Sequence, residues 1–163
     1  MSDPLRTTTL LAAAITLGLM AGLFFGFANA VMPGLRRTDD RTFVAAMQRF
    51  NASIQNGLFA LVFLGALVAT GWAAWLHRGD RPVFLPVLIA LGLYVVTLLI
   101  TFGVNIPLNN RLDAAGDPQR VADPRAVRKA FYGPWVRWNA LRTLTCMGAF
   151  GSICWALVRH SAS

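Results

Sequence analysis

The sequence contains no glutamate, and its seven aspartates, Asp3, Asp39, Asp40, Asp80, Asp113, Asp117 and Asp123, all lie outside its long apolar runs. Carboxylate-bridged di-iron chemistry and transport through an intramembrane acid therefore lack their residues. Histidine is as scarce: His77 and His160 are the two, and both belong at the end of the chain's apolar runs away from its polar cluster. That removes bis-histidine haem and zinc from the cluster, and no metal or cofactor is expected there. Cys146 and Cys154 stand about 12 Å apart if they share a helix, beyond disulfide reach, and form no C-x-x-C pair. Charge is thin as well, at 13% of residues, roughly half the share in an ordinary soluble domain.

What the chain has instead is apolar residues, 56% of the total. Four stretches, at about 10–32, 56–76, 83–106 and 135–158, each approach the ~20 residues that carry a helix across a bilayer. Residues 1–163 thus read as a single transmembrane domain: an all-α, integral membrane four-helix bundle. Within the apolar runs themselves, the fourth taken as 141–158, Arg142 is the one charge.

The formal charge of +8 is distributed by loop. Arg36, Arg37, Arg41 and Arg49 lie between spans one and two, and Arg111, Arg120, Arg125, Arg128, Lys129 and Arg137 between spans three and four. Arg6, Arg78, Arg81 and Arg159 belong to the other side. The positive-inside rule then places both large loops in the cytoplasm and both termini outside, in a multi-pass protein of the cell membrane. The basic surplus is a topology signal and a contact for anionic headgroups, not a nucleic-acid surface.

Ala28-Asn29-Ala30 has the small-residue pattern of a signal-peptidase site, but the apolar run before it exceeds the ~7 to 15 residues of a signal core, so it reads as a span. Gly18, Gly22 and Gly26 recur every fourth residue within it. Such a seam lets helices approach closely, within the chain or between two copies; glycine is also simply common in membrane helices.

Between spans one and two, Phe43, Met47, Phe50 and Ile54 recur at helical spacing after a cap at Thr38 or Asp39. This predicts a helical extension that either projects from the membrane or bends near Asn56-Gly57. On it, Gln48, Asn51 and Gln55 share a face. The polar loop between spans three and four predicts a short helix from Pro124 to Phe131 and a restart at Gly133-Pro134. Trp135, Trp138, Asn139 and Arg142 then fall on one stripe. Pro107 predicts an end or kink in span three, between Asn105 and Asn109.

If the spans alternate in direction, Asn29, Gln48, Asn51, Gln55, Asn105, Asn109, Trp135, Trp138, Asn139 and Arg142 all gather at the basic end. Polar groups near hydrocarbon need partners or a wet cavity. A guanidinium two turns into a helix needs an anion, carbonyls or water, and no carboxylate lies at its depth. Neutral amides, indoles and one permanent cation suit an aromatic or anionic, oxygen-bearing ligand, such as a hydrophobic aromatic or quinone-like molecule. Each part also has a plainer reading. Asn105 and Asn109 fit a helix reaching the interface, Trp135 and Trp138 fit interfacial anchors, and Phe24, Phe25 and Phe27 fit packing or lipid contact.

Phe-Val-Ala-Ala-Met-Gln-Arg-Phe-Asn at 43–51, Asn-Ile-Pro-Leu-Asn at 105–109 and Trp-x-x-Trp-Asn-x-x-Arg-Thr at 135–143 resemble the anthrone oxygenase-like (DUF1772) family of small four-span membrane proteins. The resemblance implies oxidation of a polyketide anthrone to an anthraquinone, and its motif positions are Gln48, Asn51, Asn105, Pro107, Asn109, Trp138, Asn139 and Arg142. An anthrone enolate passes an electron to dioxygen without metal or flavin, so Arg142, Asn105, Asn109 and Asn139 are the candidates to stabilise its oxyanion. Gln48, Asn51, Gln55, Trp135, Trp138 and Asn29 are the candidates to hold the ligand. No His, Asp or Glu stands in the cluster to act as base. The competing reading, from another class, is a non-catalytic membrane protein whose amides and Arg142 lock helices together or bind lipid headgroups.

Overall fold

The computed structural model describes residues 4–162, and among them all regular structure is helical. Four helices are long and apolar enough to cross a membrane: α1 (Pro4–Arg36), α3 (Gly57–Leu76), α4 (Arg81–Asp113) and α5 (Pro124–Ser161). Between the first two lies α2 (Asp40–Ile54). The membrane helices form a closed ring in which α1 packs on α3 and α5, and α4 packs on α3 and α5. Thr7 Oγ1 meets His160 Nε2 at 2.9 Å and the His160 ring meets His77 edge-on at 5.2 Å. The start of α1 and the ends of α3 and α5 thus share one pole, so neighbouring helices alternate in direction and both large loops share the other.

Helix length creates a second layer. Helix α3, with 20 residues, spans about 30 Å, whereas the 33 residues of α1 and α4 reach ~50 Å and the 38 of α5 ~57 Å. The three longer helices overshoot α3 at the basic pole, and α2 packs across the overshoot. Its apolar Phe43, Val44 and Met47 close on Met32, Leu112, Phe131 and Trp135, a core separate from the membrane core built on Leu17, Met20, Phe63, Tyr94 and Ile153. Asp39 caps α2 by accepting from Thr42, first through the hydroxyl and then through the backbone N–H, and this holds its carboxyl below the usual carboxylate range. The cap's contribution is therefore complete above that range and fades as pH falls through the depressed value.

The expected bend occurs: α2 ends at Ile54, and Asn56 starts α3 by accepting from the Phe59 N–H at 2.9 Å. Two other expectations are corrected. Of the end or kink expected at Pro107, the end does not occur: α4 runs on to Asp113 through a π turn at Thr101–Asn105, closed by Ile106 N–H to Thr101 O, that widens the helix just before the proline. The wider turn absorbs the missing donor, and α1 uses the same device, with a π turn at Phe27–Val31 before Pro33. Nor do 124–131 and the Gly133-Pro134 restart form separate helices: α5 is continuous. Gly133 offers no Cβ for the Pro134 ring to strike, which removes the usual bar to helix before proline.

Packing between membrane helices is close at few points. A Cβ on Gly148 would meet Leu93 Cδ1 at 3.1 Å and one on Gly18 would meet Phe150 at 3.0 Å, whereas Gly22, Gly26 and Gly151 have open space. Gly18 therefore serves α1–α5 contact within the chain. Threonines add interhelical ties, as where Thr97 meets Thr145 at 2.8 Å, and Tyr94 donates to Phe63 O at 2.7 Å. Gly148→Val is expected to cost about 1–3 kcal/mol by overpacking the α4–α5 seam, and Gly151→Ala less than ~0.5 kcal/mol. Unfolding of the detergent-solubilised protein checks this, and equal midpoints for the two variants would contradict the packing described.

Candidate functional site

A cavity of about 280 Å³ lies where the two cores meet. Helix α1 supplies Phe24 and Phe27, α2 supplies Phe50 and Asn51 with Gln55 at its C-cap, α3 supplies Phe59 and Phe63, α4 supplies Thr101, Asn109 and Asn110, and α5 supplies Trp135 and Arg142. Each helix contributes because each changes character at this level. Helix α1 enters its π turn at Phe27, α2 and α3 meet at their break, and α4 opens into its own π turn.

Arg142 is 8% exposed and has no carboxylate partner among the described residues. Its Nε donates to Asn139 Oδ1 at 3.0 Å, while Asn139 Nδ2 reaches Phe24 O at 3.4 Å. Asn139 thereby fixes the guanidinium's direction and ties α5 to α1. Arg142 also lies over the Phe24 ring at 4.3 Å and the Trp135 ring at 5.3 Å from their centroids. The other guanidinium N–H groups have no protein acceptor among the described residues. Each cation–π contact contributes roughly 0.5–2 kcal/mol and the charged hydrogen bond roughly 1.5–3. A buried, unpaired cation costs several kcal/mol, so these contacts orient Arg142 without replacing its water shell.

The remaining amides differ sharply in how they are satisfied. Asn109 Oδ1 accepts from Trp135 Nε1 at 2.8 Å, holding the indole in the cavity wall. Asn51, 5% exposed, donates to Asp113 Oδ1 at 3.4 Å. Asn105 is fully buried in the π turn, and neither of its amide atoms has a hydrogen-bond partner. Each such atom left unmet costs about 1–3 kcal/mol.

Of the residues singled out from the sequence, Arg142, Asn109, Asn51, Gln55 and Trp135 line the cavity. Asn139 stands behind Arg142, and Asn105 lies on the α4 face between Thr101 and Asn109. Gln48 is turned elsewhere, donating to Leu112 O and Gly116 O at 2.9 and 3.0 Å. Asn29 is exposed in the α1 π turn and Trp138, 39% exposed, faces outward. Phe24 and Phe27 pack into the two cores, as expected, and also form cavity wall; Phe25 faces outward, 48% exposed. Sequence reading missed the wall residues Phe50, Phe59, Phe63, Thr101 and Asn110. A signal existed for part of this, since Phe59 and Phe63 sit one turn apart directly after the Asn56 cap.

The profile of the anthrone oxygenase family matches residues 43–152. The chain belongs to that family. Among curated proteins and among solved structures nothing matches it. The family match runs from α2 through most of α5, so it takes in every segment lining the cavity except the α1 wall. No group of three or more His, Cys, Asp or Glu comes together among the described residues.

Replacing Asn109 with leucine strands the Trp135 Nε1 donor and should cost about 1–3 kcal/mol. Asn110→Leu, whose side chain has no such partner, should cost less. Thermal unfolding in detergent checks the difference, and identical midpoints would show that the Asn109–Trp135 bond does not hold the wall.

Proposed function

We propose that this membrane protein binds a compact, oxygen-bearing aromatic molecule in the cavity and promotes its oxidation by dioxygen without a bound cofactor. The observation that carries the proposal is Arg142, a buried cation held in place yet left without an anion, on the wall of an aromatic cavity. The volume of about 280 Å³ falls near the small end of ligand sites, ~300–1,000 Å³, which favours a few fused rings over a long-tailed lipid. Phe24, Phe27, Phe50, Phe59, Phe63 and Trp135 supply faces and edges for such rings. Family membership supports an anthrone as the ligand class.

In that chemistry the anthrone's methylene carbon loses a proton, and its electron pair passes into the ring carbonyl as an enolate. Arg142 and the Asn109 amide, both on the cavity wall, stabilise the charge that develops on oxygen, with Asn105 buried one turn before Asn109 on α4. The enolate gives one electron to dioxygen, the resulting pair of radicals combines, and the peroxide collapses to the quinone. One anthrone and one dioxygen yield one anthraquinone and one water. The apolar wall keeps bulk water from reprotonating the enolate. We place both large loops in the cytoplasm and both termini outside, from the basic residues gathered at the cavity's pole.

The competing reading, in which polar groups only lock helices, has support at particular residues. Arg41 donates to Pro118 O and Gln119 O, Arg128 to Thr38 O, Asp40 and Arg36 O, and Gln48 to two further carbonyls. Those residues are only half-buried and bond to carbonyls of neighbouring segments. Arg142 and Asn105 are buried without any such carbonyl among the described residues, and this separates them from the locking set.

Dioxygen uptake by the purified protein with an anthrone tests the proposal. Wild type should exceed the spontaneous rate, and Arg142→Gln should lose about 10²-fold or more in kcat, with Asn105→Ala also slowed. Equal rates for wild type and both variants, in samples with unchanged helicity, would overturn it.

A further inference from the structure

The cavity walls hold a cation and amides but no group that accepts a proton, and an ionising ligand must lose one. We propose that Asp113 is the proton acceptor that serves this cavity, reached through water across the wall formed by Asn51 and Gln55. This rests on the reading that the bound ligand ionises.

Two independent features point there. Asn51 lines the cavity and its Nδ2 donates to Asp113 Oδ1 at 3.4 Å. Gln55 lines the cavity on one side and, on the other, a shallow surface groove shared with Gln48, Ala52, Asp113 and Asp117. The amide face of α2 is therefore the partition between the cavity and an exposed carboxylate.

The other described carboxylates are committed or distant. Asp39 and Asp123 cap helices, Asp40 pairs with Arg128 at 3.0 Å, and Asp117 pairs with Arg120 at 3.6 Å while accepting from Gln119 N–H. Asp80 belongs to the turn at the opposite pole. Asp113 is the described carboxylate whose hydrogen-bond partner lines the cavity. Its titratable surroundings are simple. Asp117 faces it across the groove, Arg111 on its own helix lines a different depression with Leu108 and Phe131, and the opposite side of the groove carries Gln48, Ala52 and Gln55, none of them titratable.

The step balances without a further reactant. The ligand's C–H bond breaks, the electron pair stays on the ligand as the enolate opposite Arg142, and the proton moves along water to the Asp113 carboxylate. Asn51 and Gln55 hold that water by hydrogen bonds and do not themselves ionise. Asp113 is exposed, so it passes the proton to bulk water and is ready for the next turn.

The test is stopped-flow mixing of the solubilised protein with an anthrone under nitrogen, following the coloured enolate by absorbance and binding of the same probe by tryptophan quenching. Wild type should form the enolate with a rate that falls as the acceptor is protonated at low pH. Asp113→Asn, which keeps an acceptor for Asn51, should bind the probe as wild type does, slow enolate formation by about tenfold or more, and lose that acid limb. Asp113→Glu should restore both, and Asp117→Asn should leave both unchanged. An Asp113→Asn rate and pH profile equal to wild type would overturn the assignment while leaving the cavity reading intact. A wild type that binds no probe, or binds it without forming enolate, would overturn the cavity reading and this inference with it.

Discussion

A guanidinium in a membrane bundle must be surrounded by something other than hydrocarbon, and the architecture around Arg142 follows from that requirement. Asn139 takes one donor and turns it across the bundle; Phe24 and Trp135 present ring faces to the cation. Those contacts reach from α5 to α1, and Trp135 in turn is held by Asn109 of α4. Three helices are thus organised about one side chain. The contacts are too few to solvate the charge fully, which leaves a polar, oriented wall at the edge of the membrane core.

The fold makes room for that wall by letting helices change their winding. The π turns at Phe27–Val31 and Thr101–Asn105 each precede a proline and keep a long helix continuous where an α turn would lose its hydrogen bond. Continuity lets α1, α4 and α5 run on past the short α3, and the overshoot is what α2 covers. Without α2 and its own apolar core, the cavity would lie open at the membrane surface. The ties from Arg41, Arg128 and Gln48 to carbonyls fasten this cover, so residues that stabilise the cap and residues that face the cavity are distinct sets.

Most of the architecture was legible because hydropathy and length are strong, local signals. Four spans, the α2 extension, the bend at Asn56 and the gathering of amides at the basic pole all follow from composition and spacing. The misreadings at Pro107 and Pro134 share a cause: a proline's effect depends on whether the neighbouring backbone can rewind or lacks a Cβ, and neither is written in the proline itself. Within the candidate site, Arg142, Asn51, Gln55, Asn109 and Trp135 were found as polar or aromatic residues in unusual places. Phe24, Phe50, Phe59 and Phe63 were not, since phenylalanine is unremarked in a membrane helix until its neighbours are known. Trp138 shares the family motif with Asn139 and Arg142 yet faces outward, because a motif records sequence order and not which side of the helix meets the bundle.

A cation held in place for an anionic oxygen on an aromatic ligand must distinguish one ring system in two charge states. Titration of the purified protein with a tricyclic phenolate and with its uncharged methyl ether, followed by tryptophan quenching, gives the preference for the anion. The account predicts a clear preference in wild type that largely disappears in Arg142→Gln, with affinity for the ether little changed. Equal affinities for the two compounds in wild type, or a preference that survives the substitution, would contradict it.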